Sequence, residues 1–138
     1  MTAEQLMQRA RDAMAHSYSP YSGFTVGAAL LCRDGSVYEG CNIENAAYSP
    51  SVCAERTALF KAVYDGHRDF EAIAVCGGKQ GKITGYFPPC GVCRQVLGEF
   101  CDPDFKIYMI GAENSWREVS LRELLPFGFS GKEHMSMK

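Results

Sequence analysis

Two short strings carry most of the chemistry open to this chain. Cys53-Ala54-Glu55-Arg56 and Pro89-Cys90-Gly91-Val92-Cys93-Arg94 each read as the start of a helix, and together they offer three thiolates and one carboxylate. Cys90 and Cys93 lie three positions apart, so on the first turn of a helix their side chains share a face and can grip one ion. The unpaired N–H groups and positive dipole end of a helix start stabilise a thiolate, which lowers its pKa and favours metal binding. Cys53 holds the equivalent place on the preceding helix, so two helix starts can converge on one zinc ion. A structural zinc closes with four protein ligands, whereas a catalytic zinc keeps a position for water. Three thiols with Glu55 nearby as a proton carrier therefore point to an enzyme that activates water.

The elements that must position these groups are legible in the spacing of apolar and turn-forming residues. Thr2 and Gln5 form a capping box ahead of a helix carrying Leu6, Met7, Ala10, Ala13 and Met14, which runs to about Ser17. Ser19 to Gly23 is a loop, and Val26 to Cys32 and Val37 to Cys41 form two antiparallel strands joined by the Asp34-Gly35 turn. After a polar, irregular stretch from Asn42 to Ser51, Ser49 or Ser51 is expected to cap a helix. That helix carries Cys53, Ala54, Leu59, Phe60 and Val63 and stops near Gly66. Ala72 to Cys76 is a buried strand, Gly77 to Pro88 a long loop, and Pro89 the expected first residue of a helix whose inner face is Val92, Val96, Leu97 and Phe100. Lys106 to Ile110 is a further strand, with Glu118-Val119 a short last one. Ser120 and Glu123 box a brief helix that Pro126 ends, and from Ser130 a polar, mobile tail with no assigned function is expected. This order gives an α/β chain with a mixed sheet and helices packed on its faces.

A chain of 138 residues fits one domain, here 1–138, with one site. The formal net charge of -2, with both signs spread along the sequence, argues against an electrostatic hold on nucleic acid or an anionic membrane and favours a small polar ligand. Seven cysteines with no secretory leader ahead of them suit a reducing cytoplasm in which thiols stay free or bind metal. No apolar run approaches the roughly 20 residues that span a bilayer.

Asn42-Ile43-Glu44-Asn45, Cys53-Ala54-Glu55-Arg56 and Pro89-Cys90-Gly91-Val92-Cys93-Arg94-Gln95, taken together, resemble the cytidine deaminase family. Pro20-Tyr21-Ser22-Gly23-Phe24, Val26-Gly27-Ala28-Ala29-Leu30 and Leu124-Leu125-Pro126 extend the resemblance over nearly the whole chain. It implies a three-layer fold with a mixed sheet of about five strands and helices on both faces, and one Zn²⁺ per subunit on Cys53, Cys90 and Cys93. Water activated by the zinc attacks C4 of cytosine in cytidine, and by extension 2′-deoxycytidine, while Glu55 carries a proton to N3 and then assists the loss of ammonia. Pyrimidine salvage follows from that reaction.

The same resemblance assigns substrate contacts. Asn42 and Glu44 would bind the ribose, Glu44 through the 3′-hydroxyl, and Phe24 would pack on the pyrimidine. Ala54 joins the substrate-binding set. Phe129 would cover the base from a neighbouring subunit, with Phe127 the alternative, and Tyr48 contributes across subunit contacts in a homotetramer. A carboxylate that accepts a bond from a free 3′-hydroxyl repels a phosphodiester there, which selects nucleosides over polynucleotides. Arg56 is expected to offset the formal charge of -1 that three thiolates leave on a divalent ion. Gly77 to Phe87 is longer than is usual for the family, so local change is expected at the rim of an intact site.

Three rivals make different demands. A deaminase for a cytosine-bearing antibiotic of the blasticidin type fits Asn42 and Glu44 less well, because they suit an ordinary ribose. A redox Cys-x-x-Cys protein would pair Cys90 with Cys93. A structural zinc module would recruit a fourth thiolate from Cys32, Cys41, Cys76 or Cys101, which otherwise pack as buried free thiols.

Overall fold

Both capping boxes expected from the sequence form and set the two ends of the fold. Thr2 and Gln5 exchange side chain to backbone bonds of 2.9 and 3.1 Å at the start of α1 (Ala3–Ala13), and Ser120 and Glu123 do the same for α4 (Leu121–Leu124). In the computed structural model, which describes residues 1–135, the remaining elements are β1 (Phe24–Cys32), β2 (Val37–Cys41), α2 (Ala54–Tyr64), β3 (Phe70–Lys79), α3 (Gly91–Phe100), β4 (Lys106–Ile110), β5 (Trp116–Ser120) and α5 (Gly131–His134). The sheet order is β2-β1-β3-β4-β5, with β3 and β4 parallel and the other neighbours antiparallel.

Strand alternation sends two apolar sets to opposite faces of this sheet, and each set is covered by helix. Leu6, Met7, Ala10 and Met14 of the α1 region pack on Ala29, Leu31, Ala74 and Ile110. Ala58, Leu59 and Ala62 of α2 and Leu97 of α3 pack on Leu30, Ile73, Val75 and Ile107. The result is the three-layer α/β arrangement with a five-stranded mixed sheet. No helix among the described residues is long and apolar enough to cross a membrane.

Several boundaries differ from those the sequence suggests. Cys53 and Cys90 are themselves the N-caps of α2 and α3, so neither Ser49 nor Ser51 caps α2, and Pro89 lies outside α3 rather than at its first position. β3 runs on to Lys79 because Phe24 to Val26 pair with Gly77 to Lys79, which shortens the expected Gly77–Pro88 loop. β5 spans five residues where two were expected. Val92, expected on an inner helix face, is 57% exposed, and Phe60 of α2 is 49% exposed. Of the polar tail, Ser130 caps the single turn α5 through a bond from the Glu133 N–H, and residues 136–138 lie outside the described residues.

Two glycines in adjacent strands let the helices sit directly on the sheet. A Cβ on Gly27 would stand 2.1 Å from the Ala10 carbonyl oxygen of α1, and one on Gly40 would stand 2.4 Å from the Ala54 carbonyl oxygen and 2.5 Å from the Ala58 nitrogen of α2. Both contacts are with backbone, so the helix itself must move to admit a methyl group. Gly40→Ala is expected to cost about 1–3 kcal/mol in urea unfolding, and to lower zinc retention because α2 carries Cys53 at its start.

Candidate active site

The zinc-type donor set is built from two helix starts. Cys53 Sγ and Cys90 Sγ are 3.6 Å apart, and the sulfurs of Cys53, Cys90 and Cys93 all lie within 4.8 Å of one another. Corners of a tetrahedron with zinc–sulfur bonds near 2.3 Å are separated by roughly 3.8 Å, so the trio fits one zinc ion with small side-chain adjustment. Cys90 Sγ accepts the Cys93 N–H at 3.4 Å, so a sulfur takes the usual place of an N-cap oxygen. Thr57 secures the other helix start by donating to the carbonyls of Cys41, at 2.9 Å, and Cys53.

The electrostatics of the trio explain why an ion belongs there. Without metal, the Cys53 thiol is pushed down to about 5 by hydrogen bonding from Cys93 and then Arg56, against the effect of burial. Cys93 moves the opposite way, raised by its bond to Cys53 and by burial. One thiolate is thus stabilised at the expense of its neighbour, and only a cation allows all three sulfurs to ionise together. Burial works against the charge on Arg56, but the sulfurs of Cys53 and Cys93 outweigh it and raise the guanidinium pKa. Arg56 Nη2 donates to Cys53 Sγ at 3.4 Å, and its Nε is buried with no hydrogen-bond partner among the described residues.

This placement gives the Arg56 expectation a measurable sign. Removing the cation raises the proton affinity of the sulfurs, so Arg56→Ala should release zinc at a pH about one unit above that at which the native protein releases it. Zinc captured by a coloured chelator across a pH series reads that shift.

Glu55 is 3% exposed beside this cluster, yet its carboxylate does not join the three sulfurs as a ligand. Burial pushes its pKa up to about 7, and the charge on Cys53 adds to the effect, while its own backbone and Arg56 oppose it. A carboxyl poised near neutrality can both take and give a proton. All seven cysteines are free, so Cys90 and Cys93 form no disulfide. Cys32, Cys41, Cys76 and Cys101 are buried elsewhere, and none joins the trio.

The residues expected to contact substrate are placed as follows. Ile43 and Val52 exchange backbone bonds of 3.0 and 2.9 Å, closing the polar loop so that Glu44 and Cys53 flank a shared base. Glu44 Oε1 accepts from the N–H groups of Tyr21 and Ser22 at 3.0 and 3.1 Å, its other oxygen accepts from the Ser22 hydroxyl, and these bonds hold its pKa low. Asn42 is buried and occupied with backbone: its Oδ1 accepts from the Val26 N–H at 2.9 Å and from the Ser17 hydroxyl, and its Nδ2 donates to the Phe24 carbonyl at 2.8 Å. It thereby fixes the entrance of β1, where the half-exposed Phe24 stands. Ala54 is fully buried as the first residue of α2.

Tyr48 is 72% exposed in a left-handed conformation, its ring edge-on to Tyr21 at 6.3 Å. Phe129 is half-exposed and stacks on His134 at 4.9 Å, while Phe127 projects wholly into solvent from a left-handed backbone. Neither ring belongs to the core.

Three residues that received no role from the sequence also shape the site. Arg94 donates to the Pro89 and Leu124 carbonyls at 2.8 and 3.1 Å, and Gln95 to the Phe129 carbonyl at 2.8 Å, so the helix bearing Cys93 also holds the C-terminal segment. Phe87 packs against Phe24, 5.9 Å between ring centroids, and presses on Gly77. Only the Pro-Cys-x-x-Cys-Arg-Gln pattern hinted at the first two, and nothing hinted at Phe87.

A donor set of three sulfurs, joined by no fourth protein donor among the described residues, and a buried carboxyl poised near neutrality together define a zinc-dependent hydrolase. A family model described as the cytidine and deoxycytidylate deaminase zinc-binding region matches residues 1–109. A cytidine deaminase of Sporosarcina psychrophila is 48% identical over 99% of this chain and 96% of its own length, and one of Halalkalibacterium halodurans is 47% identical over 96% and 98%. The crystal structure of cytidine deaminase from Burkholderia pseudomallei superposes with a TM-score of 0.87 at 44% identity, over 94% of this chain and all of that one. The chain belongs to the cytidine deaminase family.

Proposed function

We propose that this protein hydrolyses the C4 amine of free cytidine, and of 2′-deoxycytidine, to give uridine or deoxyuridine and ammonia. The observation that carries the proposal is the pairing of the open Cys53, Cys90 and Cys93 cluster with the buried Glu55. Zinc held by these sulfurs supplies Lewis acidity that makes water a nucleophile at neutral pH. Glu55 accepts one proton of that water and delivers it to N3 of the pyrimidine, then takes the proton of the new C4 hydroxyl and passes it to the amino nitrogen, so that C4=O forms as the C4–N bond breaks and ammonia leaves, a double use that a carboxyl with a pKa near 7 allows. Arg56 balances the excess negative charge of the sulfurs.

The substrate is held at its two ends. Phe24 packs on the base with Phe87 behind it, and the start of α2 at Ala54 borders the reacting edge. Glu44 accepts from the 3′-hydroxyl, its carboxylate oriented by Tyr21 and Ser22. Asn42 serves mainly by fixing the backbone of Phe24 and Val26, and offers its remaining amide hydrogen to the ribose. Phe129 covers the base from a neighbouring subunit, and Tyr48 contributes from its exposed loop. The protein works as a single domain in a homotetramer. Phe60, Tyr64, Tyr48 and Phe127, all large and outward-facing, favour such an assembly. Its free thiols suit the cytoplasm and its reaction suits pyrimidine salvage.

The test is ultraviolet monitoring of cytidine with the zinc-loaded protein, with ammonia assayed in parallel. One ammonia should appear per uridine formed, and the 3′-phosphate of cytidine should be turned over far more slowly. Zinc-loaded protein that leaves cytidine unchanged overturns the reading.

A further inference from the structure

A second group of metal-type donors sits at the far end of the β1–β2 hairpin from any residue used above. Cys32, the last residue of β1, Asp34 in the turn and His67 after α2 place one ligand atom each within 4.8 Å of the others. Three independent local structures converge to do this. A register shift between Leu31 and Cys32 interrupts the pairing of β1 with β3, the kind of irregularity that re-aims a side chain. Asp34 Oδ1 accepts the Ser36 N–H at 2.9 Å, which fixes the carboxylate and leaves Oδ2 facing His67. Gly66, at φ +99°, ends α2, and the His67 N–H bonds back to the Ala62 carbonyl at 3.0 Å while the imidazole packs edge-on against Tyr38.

The spacing within the trio suits an ion better than a direct contact. His67 Nδ1 and Asp34 Oδ2 are 3.7 Å apart, too long for a hydrogen bond. Two ligands at bond lengths of roughly 2.0–2.3 Å on one tetrahedral ion are separated by roughly 3.3–3.8 Å. The donor chemistry also closes. One thiolate and one carboxylate neutralise a divalent charge, and an imidazole adds a third ligand without adding charge. Sulfur and imidazole together select a borderline first-row ion over magnesium or calcium.

We propose that Cys32, Asp34 and His67 form a second divalent-metal site of the zinc class, separate from the catalytic centre, which clamps the β1–β2 hairpin to the end of α2. On binding, the Cys32 S–H bond breaks, its proton passes to solvent and a sulfur–metal bond replaces it, with no change of oxidation state. Cys32 is buried, so the ion enters from the exposed Asp34 side and retains solvent on that side. α2 carries Cys53 and Glu55 at its other end, so the clamp braces the helix that presents the catalytic groups without touching them.

Cobalt(II) added to enzyme prepared with a single equivalent of zinc per chain, which the three sulfurs of Cys53, Cys90 and Cys93 take first, tests this. The expected result is one further equivalent of cobalt per chain, a sulfur-to-cobalt charge-transfer band, visible bands of tetrahedral intensity and no zinc in the filtrate. Asp34→Asn and His67→Gln, both at least partly exposed positions and therefore safe for folding, should each raise the half-saturating cobalt concentration at least about 10-fold. Cys32→Ala should abolish the charge-transfer band, and all three variants should keep the native rate of deamination when no cobalt is added. Uptake that requires release of zinc overturns the proposal, as does the absence of a second equivalent. A second equivalent bound equally well by Asp34→Asn and His67→Gln also overturns it.

Discussion

Glu55→Gln is expected to lower kcat by about 10⁴-fold or more while zinc content and cytidine binding stay close to native. A single positioned acid or base contributes roughly 10²–10⁴-fold, and the proposed mechanism uses Glu55 in two successive proton transfers, which places the loss at the upper end of that range. The amide fills the same volume in a site where the native side chain is 3% exposed, so packing is preserved. Glu55 is not among the three clustered ligands, so the ion should remain. Steady-state rates, zinc assay and equilibrium binding of cytidine, run together, separate loss of proton transfer from loss of metal. Unchanged turnover would remove Glu55 from the mechanism.

The same substitution should act on stability in the opposite direction. In the metal-free fold the Glu55 pKa rises from 4.5 to about 7, chiefly through burial. Between those values the folded chain holds a proton that the unfolded chain has released, so this group's contribution is fully present below pH 4.5 and is lost as pH rises through 7. The loss is about 3 kcal/mol once both states are ionised. Urea unfolding of zinc-free protein at pH 5 and pH 8 should show the native chain weakening by about 2.5 kcal/mol relative to Glu55→Gln, the rest of the loss falling below pH 5. A buried carboxyl that destabilises its own fold is consistent with the proposal that chemistry sets its position.

What could be read from the sequence was whatever depends on short-range spacing. Thr2 with Gln5, Ser120 with Glu123 and the Asp34-Gly35 turn are local devices, and each forms where its residues stand. The Cys-x-x-Cys pair and the third thiol were legible because zinc demands particular atoms at particular spacings, and the structure gathers them. Sulfur is an uncommon helix cap, so Ser51 and Pro89 looked like better helix starts than Cys53 and Cys90. Cys53 and Cys90, the thiols proposed to hold zinc, stand at the two N-cap positions, and of their sulfurs only that of Cys90 accepts a helix N–H. Asn42 could be noticed by type and motif, but its bonds reach Ser17, Phe24 and Val26, up to 25 positions away, and no periodicity encodes that. Gly40 was equally silent, since only the approach of α2 reveals why a side chain is excluded. Helical spacing places Phe60 on a face, but whether solvent or another subunit lies beyond that face depends on contacts outside the chain's own core.

Cys93→Ala is expected to produce the largest combined effect, lowering zinc affinity at least about 100-fold and taking deamination down with it. Zinc bound by a complete set of protein ligands is worth roughly 10–16 kcal/mol near neutral pH, so each of three sulfurs carries several kcal/mol. Cys93 is the most buried of the three, at 0% exposure, and alanine leaves only a small void there. The apoprotein should therefore fold, and the defect should be one of metal rather than of structure. Chelation provides the check. Removing zinc from the native enzyme should lower its melting temperature, because the ion binds the folded chain and ties the starts of α2 and α3 together. The same chelator should leave the melting temperature of Cys93→Ala nearly unchanged, since little bound zinc remains to be removed. A variant that retained stoichiometric zinc and native turnover would mean that Cys53 and Cys90 hold the ion with some other partner, and the assignment of three sulfurs would fall.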